Sequence, residues 1–230
     1  MSAGAGTSVG LGVVVEQGFP LVQRVGMFGG AFDPPHVAHR ELAEVALAQL
    51  GLDVLHILPT GQAWHKARPL TSAHHRLAMC ELAFGDLSRV RIDPRETLRA
   101  GPSYTADTLT ELAEAYPGAE LYLVMGADQL LAFKRWVRWT EVLDLARLAV
   151  AHRAPESAMQ DPHPLDLDAA DLSGVDVPYV ALSMPLHHVS ATTIRARASG
   201  PSQQDPSLDH LVSADVAGYI SLHHLYQEPS

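Results

Sequence analysis

Two histidines three residues apart, His36 and His39, close the run "VGMFGGAFDPPHVAH" (Val25–His39), behind the glycine pair Gly29-Gly30 and an Asp33-Pro34-Pro35 turn. A spacing of three puts both side chains on one face of a helix. A helix N-terminus attracts anions through its unpaired N–H groups and its dipole, and two imidazoles there add donors aimed at a phosphate. Glycines without a Cβ let a ligand approach the backbone N–H groups. The same residues also fit a Gly-Pro turn with exposed histidines, or a zinc pair to which Asp33 adds a third donor. The pattern is neither G-x-G-x-x-G nor the Walker A loop.

A second cluster lies in "HHVSATTIRARASG", His187–Gly200. Ser190 reads as an N-cap, Ala191–Ala198 as a short helix and Gly200 as its terminator. Ser190, Thr192 and Thr193 supply hydroxyls at the helix start, and Arg195 supplies a fork of donors suited to phosphate oxygens. An ordinary capped surface helix has the same composition. Three further stretches carry polar groups. "PTGQAWHK" brings His65 and Lys66, "GPSYTADTL" brings Tyr104 and Thr105 at a helix start, and "MGADQLLAFKRW" brings Asp128 and, on a nearby loop, Trp136 followed by Val137.

The elements that must position these groups alternate. Strands are expected at Leu21–Phe28, at "VLHILP", "RVRIDP", "LYLVMG" and "VPYVAL", and within "LARLAVAH"; helices are expected at Val37–Leu50, Ser72–Phe84 and Ser103–Tyr116. Strands alternating with helices of about a dozen residues imply βαβ units. The fold class is therefore α/β, a Rossmann-like, doubly wound, mostly parallel sheet with helices on both faces. In such sheets ligands gather beyond the carboxyl ends of the strands, which is where the clusters above fall. Residues 21–228 read as one domain and residues 1–20 as a flexible extension.

The chain has 230 residues, 47 % apolar and 18 % charged, an ordinary globular balance. Its net charge of −10 argues against a long nucleic acid as partner. Ala154–Asp176 holds six acidic residues and no Lys or Arg, and reads as a solvated loop. The lone cysteine, Cys80, excludes a disulfide framework and reads as core. No run of 18 apolar residues suggests a membrane span, and the start lacks a basic signal-peptide region, so a cytoplasmic location is expected. A homo-oligomer is left open.

"GGAFDPPHVAH" resembles the G-x-F-D-P-x-H-x-G-H signature of the nucleotidylyltransferase superfamily, with Ala38 where that family has glycine. "VSATTIR" is similar to its I-S-x-T-x-x-R element, in the right order and about 150 residues downstream. From Val22 to about Tyr226 the chain resembles bacterial nicotinate mononucleotide adenylyltransferases, with Thr60 and Trp64 departing from that family's P-N-x-x-P-P-H-K element. The resemblance implies transfer of AMP from ATP to nicotinate mononucleotide, with Mg²⁺ carried by ATP and no protein-held metal. It implies ATP contacts at Gly29, Gly30, Phe32, His36, His39, Ser190, Thr192 and Arg195. It assigns nicotinate mononucleotide to His65, Lys66, Tyr104, Thr105, Asp128, Trp136 and Val137, and catalysis to His36, His39, Lys66 and Arg195. It also implies a last helix in "ADVAGYISLHHLY" whose Val216, Tyr219, Ile220 and Leu222 pack on the core. Within the superfamily the alternatives are nicotinamide mononucleotide or phosphopantetheine as acceptor. A silent ATP-binding sensor is the alternative of another class.

Overall fold

The computed structural model describes residues 22–61, 70–153, 172, 174–185, 189–199, 208 and 210–227. The N-terminal extension, His65, Lys66, Trp64 and most of the acidic loop expected from the sequence lie outside these residues.

Six parallel strands form one sheet: β1 (Arg24–Gly30), β2 (Val54–Pro59), β3 (Val90–Ile92), β4 (Glu120–Met125), β5 (Arg147–Arg153) and β6 (Tyr179–Met184). Their order is β3-β2-β1-β4-β5-β6. Chain direction across the sheet thus reverses between β1 and β4, the topological switch point at which doubly wound folds open a crevice.

Period-two alternation sends successive strand residues to opposite faces. Phe28, Leu55, Ile57, Tyr122, Val124, Ala149 and Leu182 build one core with α1 (Val37–Gln49), α2 (Ala73–Phe84), α7 (Ala191–Ala198) and α8 (Ala214–Leu222). Val25, Met27, Val54, Leu58, Leu121, Leu123, Met125 and Leu148 build the other with α4 (Thr105–Ala115), α5 (Ala127–Ala132) and α6 (Trp139–Leu145). All six residues of β2 are buried, as a parallel strand covered on both faces requires. Cys80 sits in the first core, fully buried, where burial pushes its thiol pKa up.

Three details differ from the sequence reading. Gly29 and Gly30 do not follow the first strand but end it, in register with Leu58 and Pro59 of β2. Short helices form at α3 (Arg95–Leu98), α5 and α6, where none was expected. Leu222 does not pack on the core; it is 73 % exposed. Helix α8 ends there, His224 and Tyr226 turn the chain through positive φ, and Leu225 takes the buried position instead. Among the described residues no helix is long and apolar enough to cross a membrane.

Candidate active site

Beyond Gly30 the chain turns through Phe32 (φ 45°) and the cis Asp33–Pro34 bond into α1. Phe32 is buried, its ring edge-on to Phe28, Phe84 and His39. A Cβ on Gly30 would meet that ring at 3.1 Å, whereas one on Gly29 would meet only the Met27 methyl at 3.8 Å. Gly29 therefore leaves space on the open side of the strand end. Gly30 is small because Phe32 folds beneath it.

His36 caps α1, and His39 stands one turn in, at N3. Their rings stack with centroids 3.6 Å apart. The His36 backbone N–H donates to Nδ1 of His39 at 3.2 Å. An accepting Nδ1 leaves the proton of the neutral ring on Nε2. Burial of the ring, reinforced by His36 beside it, holds the His39 pKa well below the ordinary histidine value. His39 is thus a neutral Nε2–H donor, backed by Phe32 and pinned by its own helix cap.

The second motif meets the first. Ser190 is the N-cap of α7 and accepts from the Thr193 N–H at 3.1 Å. Arg195, one turn on, donates to the Asp33 carbonyl at 2.8 Å and to the Thr192 hydroxyl at 3.1 Å. The Asp33 carboxylate, only 1 % exposed, accepts from the Thr71 N–H at 3.2 Å and the Tyr226 hydroxyl at 2.9 Å. It is a joint between segments, so the zinc reading loses its third donor. Among the described residues no group of three or more His, Cys, Asp or Glu could hold a metal ion.

The other expected residues lie at the start of α4, on α5 and at the turn that follows α5. Tyr104 caps α4 and Thr105 is its first residue. Asp128 lies exposed in the first turn of α5, just beyond β4, with Oδ2 held by Gln129 at 2.8 Å and Oδ1 over Gly126. Trp136 closes a 3-10 turn at Phe133–Arg135, its N–H donating to the Phe133 carbonyl at 2.9 Å, and Val137 beside it is exposed. Arg138 then pairs with Glu141 and with Asp107 of α4, tying the Trp136 loop to the helix that Tyr104 opens. Arg195 of α7 is thus joined to the loop before α1 through the Asp33 carbonyl.

Two buried charges in this region escaped the sequence reading, the Asp33 carboxylate as a joint and Arg76. Arg76 occupies the first position of an i, i+3, i+4, i+7 series whose other members are the buried Met79, Cys80 and Ala83. A charged residue on an apolar stripe was the available signal.

The cytidylyltransferase-like family model matches residues 27–197. A relative from Albidiferax ferrireducens named probable nicotinate-nucleotide adenylyltransferase is 48 % identical over 206 residues, 90 % of this chain and 99 % of its own. One of the same name from Methylibium petroleiphilum is 40 % identical, covering 90 % of this chain and 94 % of its own. Among solved structures, the Plasmodium falciparum nicotinic acid mononucleotide adenylyltransferase in complex with NaAD aligns over 89 % of this chain and 97 % of its own. Its TM-score is 0.68 at 17 % identity, a likeness of fold. With most of its length matched by one family model and close relatives aligned nearly end to end, the chain belongs to the cytidylyltransferase-like family and, within it, to the nicotinate-nucleotide adenylyltransferases.

Proposed function

We propose that this chain transfers AMP from ATP to nicotinate mononucleotide, giving nicotinate adenine dinucleotide and pyrophosphate in NAD biosynthesis. The observation that carries the reading is the Arg195–Asp33 hydrogen bond, which brings the two phosphate motifs, 162 residues apart, together beyond the carboxyl end of β1.

In the reaction, a phosphate oxygen of nicotinate mononucleotide forms a bond to the α-phosphorus of ATP. The bond from that phosphorus to the bridging oxygen breaks in line, and pyrophosphate leaves with the electron pair. The incoming phosphate is already anionic at neutral pH, so no protein nucleophile or base is needed. Catalysis falls to positioning and charge stabilisation. His39 donates through Nε2–H and His36 beside it adds a second imidazole, while Gly29 and Gly30 give the phosphates access to backbone. Arg195, anchored on Asp33 and Thr192, and the α7 N-terminus at Ser190 face the leaving pyrophosphate. Lys66 and His65, outside the described residues, are assigned to phosphate by motif position. ATP arrives as its Mg²⁺ complex, the ion neutralising phosphate charge and held by ATP and water.

Tyr104, Thr105 and Trp136 enclose the nicotinate ring and Asp128 takes a ribose hydroxyl. Val137 N–H receives the ring carboxylate, and the Trp136 amide joins it by leaving the Phe133 carbonyl. Pyrophosphate release with ATP and Mg²⁺, comparing nicotinate mononucleotide, nicotinamide mononucleotide and phosphopantetheine, tests the reading. Release strongly favouring the first supports it. Equal or greater release with another acceptor overturns the choice of acceptor, and ATP binding without release from any acceptor makes the chain a sensor.

A further inference from the structure

Arg76 is 2 % exposed, and its guanidinium ends on three backbone carbonyls from three stretches of loop. Nε donates to Thr71 at 2.9 Å, Nη1 to Ala31 at 2.9 Å and Nη2 to Thr60 at 2.7 Å. Ala31 follows the glycine pair of the first motif. Thr60 begins the β2–α2 connection and Thr71 ends it. The two connections are further stitched by the Thr60 N–H on the Gly30 carbonyl, and Thr71 returns its own N–H to Asp33.

Burying a cation costs several kcal/mol unless geometry and partners compensate. A neutral donor would satisfy one carbonyl; three carbonyls fanned around one plane need a guanidinium, whose rigid fork presents its N–H groups in fixed directions. A lysine is a point charge on a flexible stem and cannot hold all three.

We infer that Arg76 is a positioning residue for adenylyl transfer, locking the loop after Gly30 to both ends of the β2–α2 connection so that the triphosphate meets a preformed cradle. This rests on the proposed ATP site and assigns no contact between Arg76 and substrate.

The test compares Arg76→Lys with the unaltered chain by thermal melting, by titration with ATP in the absence of acceptor, and by steady-state kinetics with nicotinate mononucleotide. A folded Arg76→Lys should bind ATP about tenfold more weakly, the loss of one charge-assisted hydrogen bond or more. Its kcat should fall by about 10²-fold, as misplacement of about 1 Å does. Its KM for nicotinate mononucleotide should rise as well, because the connection that Arg76 pins at both ends carries His65 and Lys66. A lowered melting temperature with ATP affinity and kcat unchanged would mean a merely structural role and overturn the inference. If the lysine variant does not accumulate folded, Arg76→Gln, which keeps amide donors, is judged by the same split. Should the unaltered chain release no pyrophosphate, the acceptor reading fails, and the ATP titrations alone decide the role of Arg76.

Discussion

Tyr226 donates its hydroxyl to the carboxylate of Asp33 at 2.9 Å, joining the phosphate motif at the start of the fold to a turn 193 residues later. The turn is itself fastened, since its backbone carbonyl at Tyr226 accepts from the Ser199 hydroxyl at 2.7 Å, at the end of α7. Burial and the neighbouring carboxylate push the Tyr226 pKa up, so the phenol stays a donor throughout the working range.

Tyr226→Phe removes that donor and leaves a buried carboxylate with one partner fewer. A hydrogen bond to a charged group contributes about 1.5–3 kcal/mol, and a loss of that size is expected in the unfolding free energy. Urea denaturation of the two proteins measures it. A difference below about 0.5 kcal/mol, the ordinary size of a surface change, would remove Asp33–Tyr226 from the list of stabilising contacts.

His39→Ala should lower kcat by about 10²–10³-fold, the usual consequence of deleting one donor to a developing anion. Circular dichroism must show the variant folded, since the ring also packs on Phe32. An unaltered kcat in a folded variant would sink the role given to Nε2–H.

The depressed pKa of His39 sets the sign of a pH effect. Between the folded value and the ordinary one of about 6.5, the unfolded chain holds a proton that the folded chain does not. Stability therefore rises with pH in that window, is complete above about 6.5, and is lost as pH falls toward the folded value. His75 acts in the same direction, its pKa lowered by burial and then by His223 and His74. Melting curves taken from pH 7.5 down to about 5 should fall for the unaltered chain and fall less for His39→Gln. Parallel curves for the two would show that His39 does not carry the effect.

Gly61 stands where an added Cβ would lie 2.1 Å from the backbone carbonyl of Glu96. No rotamer relieves a clash between two backbones, so Gly61→Ala must move the loop after β2 away from α3. Overpacking of this kind costs about 1–3 kcal/mol. Because the same loop supplies Thr60 to Arg76, ATP affinity should fall with stability. Retained affinity and melting temperature would show that the two segments separate freely.

The sheet was legible because its strands announce themselves. "VLHILP" is β2 to the residue, and Ser190 caps α7 through the bond its side chain is suited to make. Helices α3, α5 and α6 were missed because four to seven residues hold too few turns for an apolar period to emerge. The site was legible as a set of donors but not as a joint. Asp33 and Arg76 are polar residues whose burial depends wholly on partners far away in sequence, such as Tyr226 for one and Thr60 for the other. Leu222 misled for a related reason: it is the last residue of α8, and the turn beyond it brings Leu225 into the core instead.

The meeting of Arg195 with Asp33 has a consequence in time. A ribosome releases the first motif long before the second, and the carbonyl that Arg195 must find waits for 162 further residues. Contacts of such separation form late, after the intervening chain has lost its freedom. The growing polypeptide can therefore lay down β1, β2 and the first motif before the arginine that fastens that motif has been made. On the proposed ATP site, a chain that has not yet reached α7 holds only the first part of the donors assigned to the triphosphate.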